Sequence, residues 1–590
     1  MNAFKATGLR KPNFAALIGL SLLLVACLPE QAPAPPITES APPARPDADL
    51  VLRGGEIYTM DAARSWADAV AIRNGRILFV GDDSEVEALI GAETQVVDLG
   101  GRMVLPGMHD VHIHPISGGM EAAACNLNGL KTSEEYVEAI RRYADAHPDV
   151  AWITGGGWLM SAFGPGAKPG RVALDAIVAD RPVFLSSSDG HTAWANSKAL
   201  EIAGITRDTP DPADGRIDRD PQSGELIGSL QEGAADLVAK FVPAPSDATR
   251  LAGLRYSMAM LNGYGITGIQ DASVSEDDLA AYDTLDASHE LSLHVVAAQW
   301  WERDQGLEQI TVIKARRERY TRGHVRATTV KIMQDGVMEN YTAAMLEPYL
   351  IEGDVRGIPM VEPQHLKDVV TALDAEGFQV HFHAIGDAAV RQCLDAVQSA
   401  RETNGALGHR HHIAHLQLID RADIPRFREL DVIANFQPLW AWADDYITDL
   451  TIPFIGAERA SRMYAIRSLY DSGAMIAFGS DWSVSTANPF EEIEVAVRRA
   501  DPALADGEVF IAEQRIDLPE ALAAFTIDAA FTNGMEHDVG SLEVGKYADL
   551  AVLDRNLFTI DAREISEAKP LLTLFEGRPV HGSIDALQRE

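Results

Sequence analysis

Two kinds of hydrophobic patterning divide the chain. Near both ends, short apolar runs alternate with polar positions and break at Gly: "ADLVLRGGEIYTMD" and "ADAVAIRNGRILFVGD" early, "GSLEVGKYADLAVLDRN" and "LLTLFEGRPVHG" late. A period of two puts every second side chain on one sheet face, so these runs predict strands. Asn74-Gly75 between two such runs predicts a tight hairpin, because both residues tolerate positive φ. Two β-rich ends around a long middle predict one small β-sandwich, built from 49–106 and 538–590.

The middle reads differently. Eight apolar runs, "MVLPGMHDVHIH", "GITGIQDAS", "LSLHVVAAQW", "ATTVKIMQDG", "FQVHFHAIGD", "HHIAHLQLI", "DVIANFQP" and "AMIAFGSDW", alternate with helical patterns. "SDATRLAGLRYSMAMLNGYG" is one such helix, with Ser246 as N-cap and Gly at its close. Eight strands alternating with helices predict an α/β fold, a TIM-like (β/α)8 barrel over 107–537. The stretch of about 117–245 is too long for one crossover and predicts an inserted subdomain. It holds "AWITGGGW" and "PVFLSSSDGHTAWANSKAL".

Chemistry gathers at the ends of these strands. In "PGMHDVHIHP", His112 and His114 are two residues apart, so on a strand they share a face while Val111 and Ile113 take the other. Two converging imidazoles make half of a divalent-metal site. "HFHAIGD" places His383 at another strand end, "HHIAHLQ" places His415, and "FGSDW" places Asp481. Barrel active sites sit at the C-terminal ends of strands, so this placement points to one metal centre. His381 shares the face of His383 and competes with it as the ligand from that strand. His109, His411 and His412 are further imidazoles close by.

Composition narrows the partners. Asp and Glu outnumber Lys and Arg by 87 to 50, a net charge of -37, which repels nucleic acid and anionic lipid surfaces. That leaves a small molecule as the expected substrate, with a homodimer left open. Lys5, Arg10 and Lys11 precede the apolar run "FAALIGLSLLLVA". At about 13 residues, roughly 20 Å as helix, it falls short of a bilayer core of about 30 Å, so 1–26 is expected to be a signal peptide. It ends in "LVAC", which resembles a bacterial lipobox and implies lipidation at Cys27. With Leu28 rather than Asp after the Cys, the resemblance favours the outer membrane of a Gram-negative-type cell envelope. The Pro- and Ala-rich stretch 27–48 cannot pack a core and is expected to be a disordered tether. Cys125 and Cys393 are too few for a disulfide framework, though one bridge between them remains open.

Taken together, "LPGMHDVHIH", "DGHTAWANSKAL", "VKIMQDG", "HAIGD", "GSDW" and "VGSLEVGKYADLAVLD" resemble the amidohydrolase superfamily, and within it the amidohydrolase family 3 group of YtcJ-like metal-dependent hydrolases. The resemblance runs from about Asp49 to the C-terminus. It implies His112 and His114 from the first strand, His383 from the fifth, His415 from the sixth and Asp481 from the eighth as metal ligands. It also implies that Lys331, in "TTVKIMQDG", is carboxylated and bridges two ions. An ammonium has no lone pair to offer a cation, so the alternative is a lysine that binds substrate or a carboxylate. Ala414 departs from the pattern, where relatives often carry Glu.

The expected activity is hydrolysis of a non-peptide carbon–nitrogen bond of amide, N-acyl or N-formyl type. A divalent ion, zinc by its ligand type, would activate water, and Asp481 would carry the proton as general acid and base. A lactone or ester hydrolase on the same site is the alternative; a non-catalytic binding or regulatory lipoprotein is a further one. For substrate contacts, His191 in "SSDGHTAWANS" offers a donor from the insertion. Gln437 and Trp440, with Trp442, follow the seventh strand, where they either line the cleft or pack on neighbouring helices.

Overall fold

The computed structural model describes residues 47–166 and 168–587. The stretch expected to be a signal peptide, the expected lipidation site Cys27 and nearly all of the expected tether lie outside the described residues. Ala48 is already buried and its N–H donates to the carbonyl of Leu89 at 2.8 Å, so the packed sandwich includes a residue ahead of the expected boundary at 49.

Eight parallel strands form the central sheet: β1 (Met108–Ile113), β2 (Ile266–Val274), β3 (His294–Trp300), β4 (Val325–Met333), β5 (Gln379–Ala384), β6 (His412–His415), β7 (Ile433–Phe436) and β8 (Ile476–Phe478). They pair in chain order from β1 to β8. The barrel is drawn shut just past β8, where Asp481 N–H donates to His112 O at 2.7 Å and His114 N–H to Trp482 O at 2.9 Å. All eight expected strands are present, and most are buried on both faces, as a helix-wrapped parallel sheet requires. Ser246 caps the helix Asp247–Gly263 as its sequence predicts, accepting from Thr249 N–H at 3.1 Å.

The run "MVLPGMHDVHIH" corresponds to two strands rather than one. Met103–Pro106 belongs to a flanking sheet, and β1 starts after Gly107. A Cβ at Gly107 would lie 2.2 Å from Thr267 Oγ1, so only glycine lets the chain pass from sandwich to barrel so close to β2.

The flanking unit has two sheets. One, of four strands, comes from the N-terminal segment alone. The other, of six, interleaves both ends, with Leu550–Leu553 antiparallel to Met103–Pro106. Leu52, Val70 and Val97 from the first sheet pack with Val104, Val552 and Leu572 from the second. Asn74 and Gly75 take φ of 50° and 76°, the hairpin conformation their types predict.

Between β1 and β2 the chain builds a six-stranded sheet, from Cys125–Asn126 to Gly215–Arg219 and Leu226–Glu232, with its own small core around Leu200, Ile217 and Leu230. Cys125 and Cys393 are both buried and unbonded, so the optional bridge is not formed.

Candidate metal centre and cavity

At the C-terminal ends of the barrel strands, the expected side chains converge. His112 Nε2 and His114 Nε2 lie 3.3 and 3.1 Å from Asp481 Oδ1, and His415 Nδ1 lies 3.8 Å from Asp481 Oδ2. Donor atoms of His112, His415 and Asp481 all fall within 4.8 Å of one another. His383 joins from β5, its ring centroid 4.3 Å from that of His415. Only His114 is appreciably open, with 25% of its side chain exposed. His415 and Asp481 hold φ of 79° and 53°. Such left-handed backbone at non-glycine residues costs roughly 1–3 kcal/mol each and persists only where the surroundings impose it.

The choice between His381 and His383 is made by depth. His383, His415 and Asp481 line the large cavity above the barrel; His381 does not. His381 Nε2 instead sits 2.7 Å behind His112 Nδ1. In the tautomer that frees His112 Nε2 for a cation, Nδ1–H donates to His381, so His381 supports the orientation of His112 from behind. His383 is fixed in the same manner: its Nε2–H faces the carbonyl of Gly336 at 3.3 Å, which leaves Nδ1 as its lone pair. His411 is a structural residue, accepting from Val380 N–H and paired with Asp374. His412 is bracketed by Gln270 and Asn435. His109 is fully buried with neither ring nitrogen partnered.

The protonation states suit a divalent cation. Burial, with the charge of Lys331 adding to it, pushes His112 down to about 3. Burial and neighbouring imidazoles hold His383 and His415 well below the usual histidine range. All three are therefore neutral, with lone pairs to give. Burial opposes ionisation of Asp481, but the imidazoles of His112 and His114 outweigh it and keep the carboxylate well below its ordinary range. His415 Nδ1 is buried without a hydrogen-bond partner, and Asp481 Oδ1 is buried facing only the Nε2 atoms of His112 and His114. Buried polar atoms left open in this way are costly unless something else binds them, and a shared cation meets the need. The donor set therefore fits a divalent metal.

Lys331, on β4, is 4% exposed, and burial pushes its amine down to about 7 despite the opposing pull of Asp481. Among the described residues no carboxylate comes within 4.0 Å of it, although the charge of Asp481 acts on it.

The sequence profile of the amidohydrolase family matches residues 95–581. The chain belongs to the amidohydrolase family. This amidohydrolase is similar to Protein LONG AFTER FAR-RED 3 of Arabidopsis thaliana, 34% identical over 92% of this chain and 93% of the plant protein. It is 27% identical to N-substituted formamide deformylase of Arthrobacter pascens, over 90% of this chain and 97% of that one. A solved structure, an uncharacterized metal-dependent hydrolase from Pyrococcus horikoshii OT3, matches with a TM-score of 0.69 at 25% identity, covering 87% of this chain and 99% of the other.

The amidohydrolase cavity measures about 590 Å³. The insertion supplies part of its wall through Leu159, Ser188, Asp189 and His191. His191 Nδ1 lies 2.9 Å from Glu232 Oε2, and its ring centroid is 5.1 Å from that of His383. Burial would lower the imidazole, but the Glu232 carboxylate reverses this and pushes it up to about 9. At neutral pH His191 is an imidazolium beside the histidine cluster. Trp440 also lines the cavity, stacked on His415 at 5.6 Å with its Nε1–H directed to Ser485 Oγ. Trp442 lines it as well. Gln437 does not: it is fully buried and its amide donates to Asn435 Oδ1 at 3.2 Å, because it follows β7 closely enough to stay inside the barrel.

Several supports escape sequence reasoning. Asp110 accepts from the N–H groups of His112 and Ser480, at 3.0 and 3.1 Å, and so ties β1 to the loop bearing Asp481. Gly479 permits this contact, since a Cβ there would lie 2.4 Å from His112 N. Asp335 of "VKIMQDG" accepts from the N–H groups of Ile385 and Gly386 of "HAIGD", both at 2.9 Å, which explains why those two motifs matter together. Glu232 gives no local signal at all; it sits in an unremarkable "GSLQEG".

Proposed function

We propose that this protein hydrolyses a non-peptide carbon–nitrogen bond, in an amide, N-acyl or N-formyl compound, with one or two divalent ions, zinc by ligand type, held by His112, His114, His383, His415 and Asp481. The observation that carries the reading is the cluster of open lone pairs, on neutral imidazoles and an ionised carboxylate, beneath a substrate-sized cavity. A bound ion supplies Lewis acidity, making water nucleophilic near neutral pH and polarising the scissile carbonyl.

The chain's own groups do the rest. Asp481 is ionised and sits among the ligands, so it takes a proton from water and returns it to the departing nitrogen. His191, held as an imidazolium by Glu232 and lining the cavity, would stabilise the negative charge that grows on the former carbonyl oxygen. Lys331 is buried, and its amine, pushed down to about 7, is about half unprotonated at neutral pH, the form that adds CO2. As a carbamate it would offer an oxygen ligand and allow a second ion. Trp440 and the insertion restrict water around the reacting bond. Similarity to an N-substituted formamide deformylase supports the N-formyl member of this substrate group.

The experiment is a screen of N-substituted formamides, N-acyl amines and lactones with the metal-loaded enzyme, with and without a chelator. Metal-dependent release of formate or acid from the amide members supports the reading. Turnover confined to lactones moves the activity to ester bonds. Stoichiometric metal with no turnover of any member favours a binding protein. We further propose that Cys27 carries the lipid that anchors the enzyme to a cell envelope.

A further inference from the structure

The cavity walls carry an uneven charge. Six carboxyl residues line it: Asp189, Glu339, Asp444, Asp481, Glu491 and Asp501. No lysine or arginine is among the described residues that do so. The one cationic side chain, His191, is already matched by Glu232 at 2.9 Å. Away from the histidine cluster the acids are accompanied by aromatic faces. Trp442, Tyr446 and Tyr464 share the lining with Glu339 and Asp444. The Tyr446 hydroxyl is fixed by accepting from Met160 N–H at 2.9 Å. Asp189 Oδ2 is buried with no hydrogen-bond partner. Burial raises Glu339 and Asp444 to about 7, with the charge of Asp189 adding to the first and that of Glu339 to the second, so these two lining acids carry their full charge only above neutral pH.

Carboxylates crowded together without cations repel one another, and a free carboxylate entering beside them would add to that cost. An ammonium group relieves it, and aromatic faces at the same place attract a cation through their quadrupoles. We infer that the cavity takes a substrate with an apolar or aromatic stem whose end remote from the histidine cluster carries an ammonium group, and that it rejects free carboxylates there. This rests on the reading of the cavity as the substrate site and narrows the substrate group given above to neutral or amine-bearing amides.

Equilibrium binding tests the inference without requiring turnover. Isothermal titration of the metal-loaded enzyme at about pH 8.5, above the values of about 7 to which burial raises Glu339 and Asp444, compares benzyltrimethylammonium with benzenesulfonate, two stems of similar size and opposite charge, neither a strong metal ligand. The ammonium compound should bind one-to-one and at least about ten-fold tighter. In the double variant Asp444→Asn, Glu339→Gln, the amides keep the oxygens that accept from Ile447 N–H and Thr451 Oγ1. There the preference should fall below about three-fold. Equal or tighter binding of the sulfonate by the wild type overturns the inference, as does a preference that survives the double variant. If formamides are not cleaved but the ammonium compound binds as described, the bond assignment fails while the charge selectivity stands.

Discussion

The His191–Glu232 pair offers a prediction whose size follows from the structure. The imidazole moves from 6.5 to about 9 on folding. That shift of about 2.5 units corresponds to roughly 3 kcal/mol. Solvent screening takes little from it, since the two side chains are only 11% and 2% exposed. The sign is that of a raised pKa: the contribution is complete below the unfolded value of 6.5 and is lost as pH rises through about 9. Glu232 stays ionised throughout this window, because its own pKa is lowered; burial opposes that, and His191 with Thr342 prevails. Glu232→Gln removes the charge and keeps an oxygen for Thr342 Oγ1, which donates to it at 2.6 Å. A double-mutant cycle with His191→Gln, read by urea unfolding, should give a coupling of roughly 3 kcal/mol at pH 6.5, shrinking to under about 0.5 kcal/mol at pH 10. A coupling below about 1 kcal/mol at pH 6.5, or one that does not change with pH, would refute the claim that the cavity holds an imidazolium.

Asp481→Asn keeps an oxygen at the cluster but loses the proton acceptor, so metal content should persist while turnover falls by at least about 100-fold; undiminished turnover, measured beside metal analysis, rejects the proton-carrying role. Lys331→Met should lower the metal stoichiometry from two to one and abolish a carbamate carbon signal seen after loading wild type with 13C-bicarbonate. An unchanged stoichiometry with no such signal in either protein rejects carboxylation. Cys27→Ala should stop incorporation of labelled fatty acid and move the protein from the membrane fraction to the soluble one; labelling that persists places the lipid elsewhere.

Periodicity made the barrel legible, because eight buried strands and their helices repeat a simple pattern. The strand ends then located the cluster, since His112 and His114 share a face whatever surrounds them. What periodicity cannot resolve is depth along a strand. His381 and His383 share a face equally well, and only the third dimension sends one behind His112 and the other into the cavity. Nor does it mark a strand's change of sheet, so the passage at Gly107 was hidden inside one apolar run. Glu232 and Asp110 act through partners far away in the chain, and Gln437 is turned inward by its distance from β7. These are facts of tertiary packing, which no local pattern encodes.

The central claim is that side chains from separate strands grip a divalent cation. Elemental analysis of purified, zinc-reconstituted protein tests it most directly, alongside the double variant His112→Ala, His114→Ala. One or two equivalents per chain should survive dialysis, and the variant should lose most of that metal. Protein that retains no transition metal under any loading condition, or a variant that binds as much as the wild type, would contradict it.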